Sequence, residues 1–520
     1  MTSRLNRLLC SPADAVALIQ PGQTVVCGGF VGAAHPESLT AAIEDRFLQT
    51  GEPRELTLLY AAGQGNGSTR GLNHLAHRGL VRRVIGGHWG LVPKLGQMAI
   101  AGDLEGTIFP QGVVCQLLRD IAAGRPGCIT HVGLDTFVDP AHGGGRLHPE
   151  TSERLVERIE LDGKTWLFYR AFPVHIGLIR ATAADPLGNL LMTEEAVIGE
   201  VLPIAQAVHN SGGVVLAQVR EILDEPAAPH TVRVPGVLVD RIAVAPPEQH
   251  HQTFGEEFNP AYFRPQTKDH ITALPSDTPL PLDARRIIAA RACDELAPGA
   301  IANLGIGMPE GIARIAAERG VLGDVTLTVE SGPIGGIPAG GLSFGASAYP
   351  EAIIDQPSQF DFYDGGGLDF AALGAAQVDQ HGNVNVSKFH DRVAGVGGFI
   401  NISQNARKLV FCGTLTTGGL SVAVRNGQLV ILKEGRHRKF LEQVEQISFS
   451  GQLARRSGQD VLFVTERAVF RLTAQGLELT EVAPGIDVDS QILAQMDFRP
   501  VIGQAGKMPA HVFSAGPSHS

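Results

Sequence analysis

Apolar positions along the chain fall into short runs of strand length, each followed by a stretch with helical spacing. After Pro21-Gly22 an apolar run leads into Cys27-Gly28-Gly29-Phe30, and Pro36-Glu37 then opens the segment SLTAAIEDRF. The second half repeats that order. Pro298-Gly299 starts a run ending at Gly305-Ile306-Gly307-Met308, and Pro309-Glu310 opens GIARIAAERG. Strands alternating with helical segments of about 10–15 residues predict βαβ units and a mainly parallel sheet. The chain therefore reads as α/β, with two similar open α/β domains fused in one polypeptide.

The next strands sharpen the repeat. Leu56–Gly63 (LTLLYAAG) aligns with Val325–Gly332 (VTLTVESG) at a spacing of 269 residues, which sets Ala61 opposite Glu330. Asp185-Pro186-Leu187-Gly188-Asn189 aligns with Asp379-Gln380-His381-Gly382-Asn383 at a spacing of 194, so the first half carries 75 additional residues between these landmarks. GGHWG (86–90) and Pro110-Gln111-Gly112 lie in that insertion. Five prolines between Asn259 and Asp283 mark a linker. The expected division is residues 1–260, a linker at 261–283, a second domain at 284–502 carrying Glu330, and a small polar tail at 503–520 read as disordered. In open parallel sheets ligands sit at the carboxyl ends of the strands, which is where Cys27–Phe30, Gly305–Met308 and Glu330 fall.

Composition narrows the function. The 520 residues are 44% hydrophobic and 18% charged, enough for more than one ample core. A net charge of −11 gives nucleic acid no global attraction. The 63 glycines suggest places where backbone comes close to a ligand. Six cysteines without a CxxC pair support neither a disulfide framework nor a cysteine zinc site. With no leader-like N-terminus and no uncharged run near 18 residues, the chain reads as cytoplasmic and not membrane-bound.

Glu330 ends an apolar strand and precedes a loop rich in Gly and Pro (331–341). A carboxylate there can simply serve the turn, but the duplicated strand carries Ala61, so the turn does not require an acid. Two kinds of chemistry use these loops. Gly305-Ile306-Gly307 before Pro309 looks like a dinucleotide loop with Glu330 at the ribose position, yet the spacing is GxGxxxG and Pro309 removes an N–H that a pyrophosphate would use. The other is acyl transfer, with Glu330 attacking a thioester carbonyl and backbone N–H groups holding the oxyanion.

From about Ser11 to about Ile502 the chain resembles the family I coenzyme A transferases, in particular the single-chain acetate or propionate transferases with both subunit types fused. The resemblance rests on GGF (28–30) with Pro36-Glu37, AAGQGNG (61–67), VIGGHWGLVPKLG (84–96), PQG (110–112), NLGIGMPEG (303–311), TLTVESGPIGGIPAGG (326–341), DQPSQFDFYDGGGLD (355–369), GNVNVSKF (382–389) and VGGFINISQNA (396–406). It implies that Glu330 is the covalent glutamate, that Gln111 donates to an oxyanion, and that Gly397 or Gly398 adds a backbone donor. Gly28, Gly29 and Phe30, with Asn303, Gly305, Gly307 and Met308, would line the acyl and coenzyme A site. It also implies acyl-CoA and a small carboxylate as partners, no cofactor or metal beyond coenzyme A as substrate, a homodimer or homotetramer, and an active site where the two halves meet. Two positions depart from the family pattern: Ala34 stands where a glycine is usual, and Ser331 follows the nucleophile where the nearest fused relatives carry proline.

Other clusters read as structural. His250-His251 and His270 lack metal-ligand spacing. His88-Trp89 suits a packed aromatic corner or a channel wall, Arg436-His437-Arg438-Lys439 suits a solvated basic face, and Asp361 and Asp364 suit turns. A thioesterase using the same glutamate, a dinucleotide-dependent oxidoreductase and a non-catalytic acyl-CoA sensor remain the other functional readings.

Overall fold

The computed structural model describes residues 2–148, 153–265 and 280–514. Most of the expected linker and the last six residues of the tail lie outside that range. The chain forms two compact units that do not follow its two halves. The first comprises Met1–Pro265, Val329–Asp361 and Phe389–Asn401; the second comprises Gln266–Thr328, Phe362–Lys388 and Ile402–Ser520. Glu330 and its loop thus belong to the compact unit formed by the first half.

The first unit is built on a parallel sheet in the order Glu105–Ile108, Val81–Gly86, Leu56–Tyr60, Thr24–Cys27, Ile176–Ala184, Val214–Ile222, Arg241–Val244. Thr24–Cys27, Leu56–Tyr60 and Ile176–Ala184 are buried along their whole length, which accounts for their continuous apolar character. The predicted helix is Glu37–Thr50, stopped by Gly51 in the left-handed conformation, φ 73°, with its N–H on the Phe47 carbonyl. Strand order reverses between Thr24–Cys27 and Ile176–Ala184. At that switch point Gly28 donates its N–H to Leu178 at 3.0 Å, and the chain leaves the sheet as Gly28-Gly29-Phe30.

The second unit repeats the plan. Thr326–Thr328, Ile301–Leu304, Phe370–Gly374, Lys408–Cys412 and Asp460–Val464 run parallel in that order. Ala468–Thr473 and Gly476–Val482 then extend the sheet antiparallel. The reversal lies between Ile301–Leu304 and Phe370–Gly374, where Gly305 donates to Ala372 at 2.9 Å. The helix Ala284–Cys293 is capped by the Asp283 carboxylate on the N–H groups of Arg285 and Arg286. It packs with Ile312, Ile315, Leu327, Phe370, Val410 and Leu462 into one core.

The tail is ordered well past residue 503. Val501–Lys507 adds a strand beside Gly476–Val482, and Val512 and Phe513 are buried in the second core. The reading of residues 503–514 as disordered is corrected by these contacts: the small polar composition hid an edge strand, whose residues are all exposed, and an apolar pair that anchors it.

Candidate active site

Glu330 stands two residues beyond the strand Thr326–Thr328, in a turn closed by Gly332 N–H to Val329 and Val329 N–H to Pro333, both 3.0 Å. Its side chain is buried, with 8% exposure. Ser331 holds the turn by donating its hydroxyl to the Gly345 carbonyl at 2.5 Å, a tie that proline at 331 could not make. Gly345, φ 106°, lies against the ring of Phe30 where any Cβ would collide with it, and Phe30 meets Phe344 at 5.5 Å between centroids. The glycine turn at the sheet's switch point and the Glu330 turn are therefore packed together in one unit.

The loop that presents Phe30 is held in unusual backbone geometry. Val31 and Ala34 take φ of 54° and 55° and Gly29 takes 132°. Ala34 thus occupies, at some steric cost, a left-handed conformation that glycine would adopt freely. The strain is held by Val31 N–H to Gly63 at 2.7 Å and by reciprocal bonds between Phe30 and Ala33. Behind the loop His35 is fully buried, with Nδ1 2.8 Å from Gln64 Oε1 and Nε2 3.1 Å from Thr40. Burial pushes its imidazole down to about 4 against the Glu37 carboxylate, so the ring is neutral near pH 7. Burial pushes Glu37 upward, but hydrogen bonding and charge from His74, the charge of His35 and the Gly71 N–H prevail and hold it at about 2.

Gln111 begins the helix Gln111–Ala122 directly after Pro110, and its N–H donates to Gly397 at 2.9 Å. Its side chain is buried, at 2% exposure, and its Nε2 has no hydrogen-bond partner among the described residues. A buried amide donor left unmade is costly unless something else accepts it. The helix start is fixed by Gly112 N–H to Asn401 Oδ1 at 3.2 Å, and Gly112 leaves room for the Phe360 ring, which a Cβ would meet at 2.6 Å. The segment after Val393 docks on the GGHWG turn: Val396 and Gly397 both donate to Gly87, and Trp89 and Gly90 donate to Ala394. Gly397, φ 51°, has thus committed its N–H. Gly398 gives its N–H to no backbone carbonyl among the described residues.

His88 connects the two clusters. It fills the space beside Gly63, which a Cβ would take from its ring, and its Cβ lies 3.6 Å from where Gly397 would carry one. Burial and the Arg392 charge hold its imidazole at about 4. Trp89 is fully buried and donates Nε1 to Gly86 at 3.0 Å, the packed aromatic corner. A continuous path of contacts, Ser331 to Gly345 to Phe30, through Val31 to Gly63, His88, Gly397 and Gln111, thus joins the glutamate turn to the unpartnered amide inside the first unit.

The remaining candidates belong to the second unit. Asn303 is buried on its strand and donates Nδ2 to the Thr328 carbonyl at 3.3 Å and to the Tyr363 hydroxyl at 3.4 Å, and Tyr363 donates to Thr328 Oγ1 at 2.8 Å. Gly307 needs its glycine for φ 86° and gives its N–H to Glu310 at 2.9 Å. Met308 packs against the second core, while Ile306, 50% exposed, occupies the open face of that loop. His250 pairs with Glu195 and Gln218 in the first unit, and no group of residues suited to hold a metal is found among the described residues. No described helix is long and apolar enough to cross a membrane. Sequence reasoning missed His35, Gln64 and Asn401. The one available signal was the paired Pro-Glu helix starts, which set His35 opposite Met308.

A family model described as coenzyme A transferase matches residues 10–245. The chain is 43% identical over 501 residues to the acetate CoA-transferase YdiF of Escherichia coli (strain K12), covering 96% of this chain and 93% of that protein. It is also 43% identical over 499 residues to the caffeate CoA-transferase of Acetobacterium woodii, covering 95% and 94%. A crystal structure of the acyl-CoA transferase YdiF from E. coli O157:H7, a thioester complex with CoA, matches with a TM-score of 0.92 at 41% identity over 99% of this chain and 98% of that one.

Proposed function

Since this chain belongs to the coenzyme A transferase family and is a CoA-transferase, we propose that it carries coenzyme A from a short-chain acyl-CoA to a free carboxylate such as acetate, through a glutamyl-CoA thioester on Glu330. A Glu330 oxygen attacks the thioester carbonyl carbon, the C–S bond breaks, and coenzyme A leaves as thiolate from an acyl-glutamyl anhydride. The thiolate returns to the glutamyl carbonyl and expels the acyl group as its carboxylate. An acceptor carboxylate then reverses both steps, so the thioester's activation is retained throughout. The donor, acceptor and glutamate supply every bond and charge, and no resident metal or redox cofactor takes part.

The observation that carries this reading is the buried Gln111 Nε2 without an acceptor among the described residues. A donor held in a dry site ahead of time, and matched by an oxyanion that exists only during the reaction, stabilises the transition state rather than the substrate. Gly398, whose neighbour has committed its N–H to Gly87, is the backbone donor that completes the hole. Phe30, pressed between Phe344 and Gly345 beside the glutamate turn, limits the acyl group to a short chain. Relatives of equal identity act on acetate and on caffeate, as their names state, so the Phe30 wall is the residue-level basis for the choice made here. The thioester complex of the YdiF structure supports the covalent route.

The test is incubation with acyl-CoA alone, followed by mass spectrometry of the peptide holding Glu330. A coenzyme A-sized adduct is expected, and its absence with several acyl lengths overturns the proposal. Consumption of acyl-CoA at an undiminished rate without added carboxylate would assign the chain as a thioesterase instead.

A further inference from the structure

In the first unit a hairpin loop and the stretch that follows the sheet meet at a carboxylate outside the proposed transfer chemistry. The hairpin pairs Ile337–Pro338 with Ser347–Ala348 and carries residues 339–346 as its loop. Gly340, Gly341 and Leu342 at the tip are exposed, whereas the chain from Ser343 to Ser347 is buried. Ser343 is therefore the point at which the loop turns inward, directly before Phe344 and Gly345. Two glycines lead up to it, the second at φ 59°, and give the backbone little stiffness of its own. What fixes the loop is what holds Ser343, and that is Glu256.

The hydrogen bonds at Glu256 run in one direction. Ser343 donates its hydroxyl to Glu256 Oε2 at 2.8 Å, Tyr262 donates to the same oxygen, and Asn259 Nδ2 donates to Oε1 at 3.0 Å. Burial pushes the Glu256 carboxyl upward, but these three hydrogen bonds prevail and hold it below its ordinary value. A carboxylate only accepts, so Ser343 gives it its one proton and takes the proton of Thr253, whose Oγ1 lies 2.9 Å from Ser343 Oγ. Thr253 Oγ1 in turn accepts the N–H groups of Gly255 and Glu256 at 3.2 and 2.9 Å. Gly255 leaves room for the junction, since a Cβ there would stand 2.6 Å from Ser343 Oγ. Phe254, within the same stretch, fills the space beside Gly32, where a Cβ would stand 2.4 Å from its ring, and faces His35 at 5.9 Å between centroids. A few residues on, the Ala261 carbonyl accepts the Tyr349 N–H at 2.7 Å and fixes the far end of the hairpin.

We propose that Glu256 is a positioning residue for acyl-chain selection: through Ser343 it holds Phe344 and Gly345 against Phe30 and the Glu330 turn. The path is short. Phe344 meets Phe30 at 5.5 Å between centroids, Gly345 lies against the same ring, and the Gly345 carbonyl accepts the hydroxyl of Ser331, the neighbour of Glu330. The stretch 253–256 thus grips both parts of the wall, with Phe254 against the loop that presents Phe30 and Glu256 on the loop that presents Phe344. Hydrogen bonds to an ionised acceptor are stronger than those between neutral groups, so the charge on Glu256 is what makes the hold firm. The inference rests on the reading of Phe30 as the wall that limits the acyl group.

The experiment compares kcat/KM of the full-length protein for propionyl-CoA and hexanoyl-CoA, with acetate as acceptor, alongside the mass-spectrometric search for the Glu330 adduct in the parent. Glu256→Gln keeps the side chain's shape but replaces an accepting oxygen with an amide that cannot serve a donor. The parent is expected to favour propionyl-CoA, and Glu256→Gln to narrow that preference by about tenfold, the scale on which an apolar pocket weighs added methylenes. Ser343→Ala cuts the same link from its other end and should narrow the preference equally, and the double variant should go no further than either single one. If Glu256→Gln does not fold, Ser343→Ala carries the comparison with the parent. The proposal is overturned if the preference is unchanged, if both substrates slow by the same factor, as loss of a merely structural contact would produce, or if the two single effects add. A parent that forms no adduct, or shows no preference between the chains, overturns the reading of the site and this inference with it, whereas an active, selective parent with an equally selective variant overturns this inference alone.

Discussion

The two halves contain one turn built twice. In the first unit Asp185 accepts the N–H groups of Leu187 and Asn189, and Asn189 Nδ2 returns to the same carboxylate. In the second, Asp379 accepts from His381 and Asn383, and Asn383 Nδ2 returns likewise. The asparagine oxygens receive Gly236 N–H and Gly451 N–H at 2.8 and 3.0 Å, and the glycines between take φ 80° and 77°. Where the halves must fold alike, they agree to individual hydrogen bonds. Where the ends of the matched strands differ, Ala61 against Glu330, the difference falls at the carboxylate proposed to carry the thioester. A duplicated scaffold keeps its turns and changes the residues its strands deliver.

The most severe way to break that comparison is to make the strands alike. Glu330→Ala should lower transfer by about 10⁴-fold or more. Its thermal melting should remain close to that of the parent, because alanine already occupies the matched position at 61. A coupled acyl-CoA assay with a melting curve checks both. A large loss of stability would show that the carboxylate serves the turn. Next in size, Gln111→Leu should lower kcat by about 10²–10³-fold, the cost of one oxyanion donor, with a smaller change in KM. An unchanged kcat would remove Gln111 from the reaction.

The repeated turn offers a stability test with a built-in control. Asp185→Ala and Asp379→Ala each strand three backbone N–H groups, Ala227 and Val444 being the third in each case, and one side-chain amide, and each should cost about 2–3 kcal/mol by denaturant unfolding. Similar losses confirm that the turns are equivalent. A loss in one alone would mean that the shared hydrogen bonds carry unequal weight in the two units.

Much of this was legible before the structure. The strand runs, the helix starts at Pro36-Glu37 and Pro309-Glu310 and the internal repeat are local patterns, set by burial on both sheet faces and by turn chemistry within a few residues. The glycine turns at both switch points followed from that topology. What lies outside local pattern was not legible. Nothing near residue 394 indicates that Ala394–Gly397 will bond to the turn at Gly87–Gly90, about 300 residues earlier, or that Val329–Asp361 will join the first compact unit. Those choices depend on which buried N–H and carbonyl groups remain to be satisfied once the sheets exist. Lys439 is the same case in miniature. In the run RHRK the first three residues are exposed and the fourth is half-buried, because the chain enters the strand Phe440–Leu441 directly after it.

Acid provides the gentlest separation of the two units, at the position where His35 faces Met308 in the repeat. His35 is held at about 4 by burial, below the ordinary histidine value of about 6.5. The unfolded chain therefore binds a proton in this window that the folded chain refuses. The neutral ring's contribution is complete above pH 6.5 and is lost as pH falls toward 4, by about 2 kcal/mol between pH 6.5 and 5. Met308 has no proton to bind and makes the second unit indifferent at the same place. The chain's two tryptophans, Trp89 and Trp166, both lie in the first unit, so their fluorescence follows that unit alone. The buried Glu200 carboxyl of the same unit, held up at about 8 by burial, acts in the opposite sense over this window, so denaturant unfolding read by tryptophan emission should isolate the His35 part as a difference: His35→Gln, which keeps a hydrogen-bonding group beside Gln64, should lose less stability than the parent from pH 6.5 to 5. An unchanged slope in the variant would move the acid sensitivity to His88, held equally low at about 4 beside Gly397, and so from the loop behind Phe30 to the contact between the GGHWG turn and the segment after Val393.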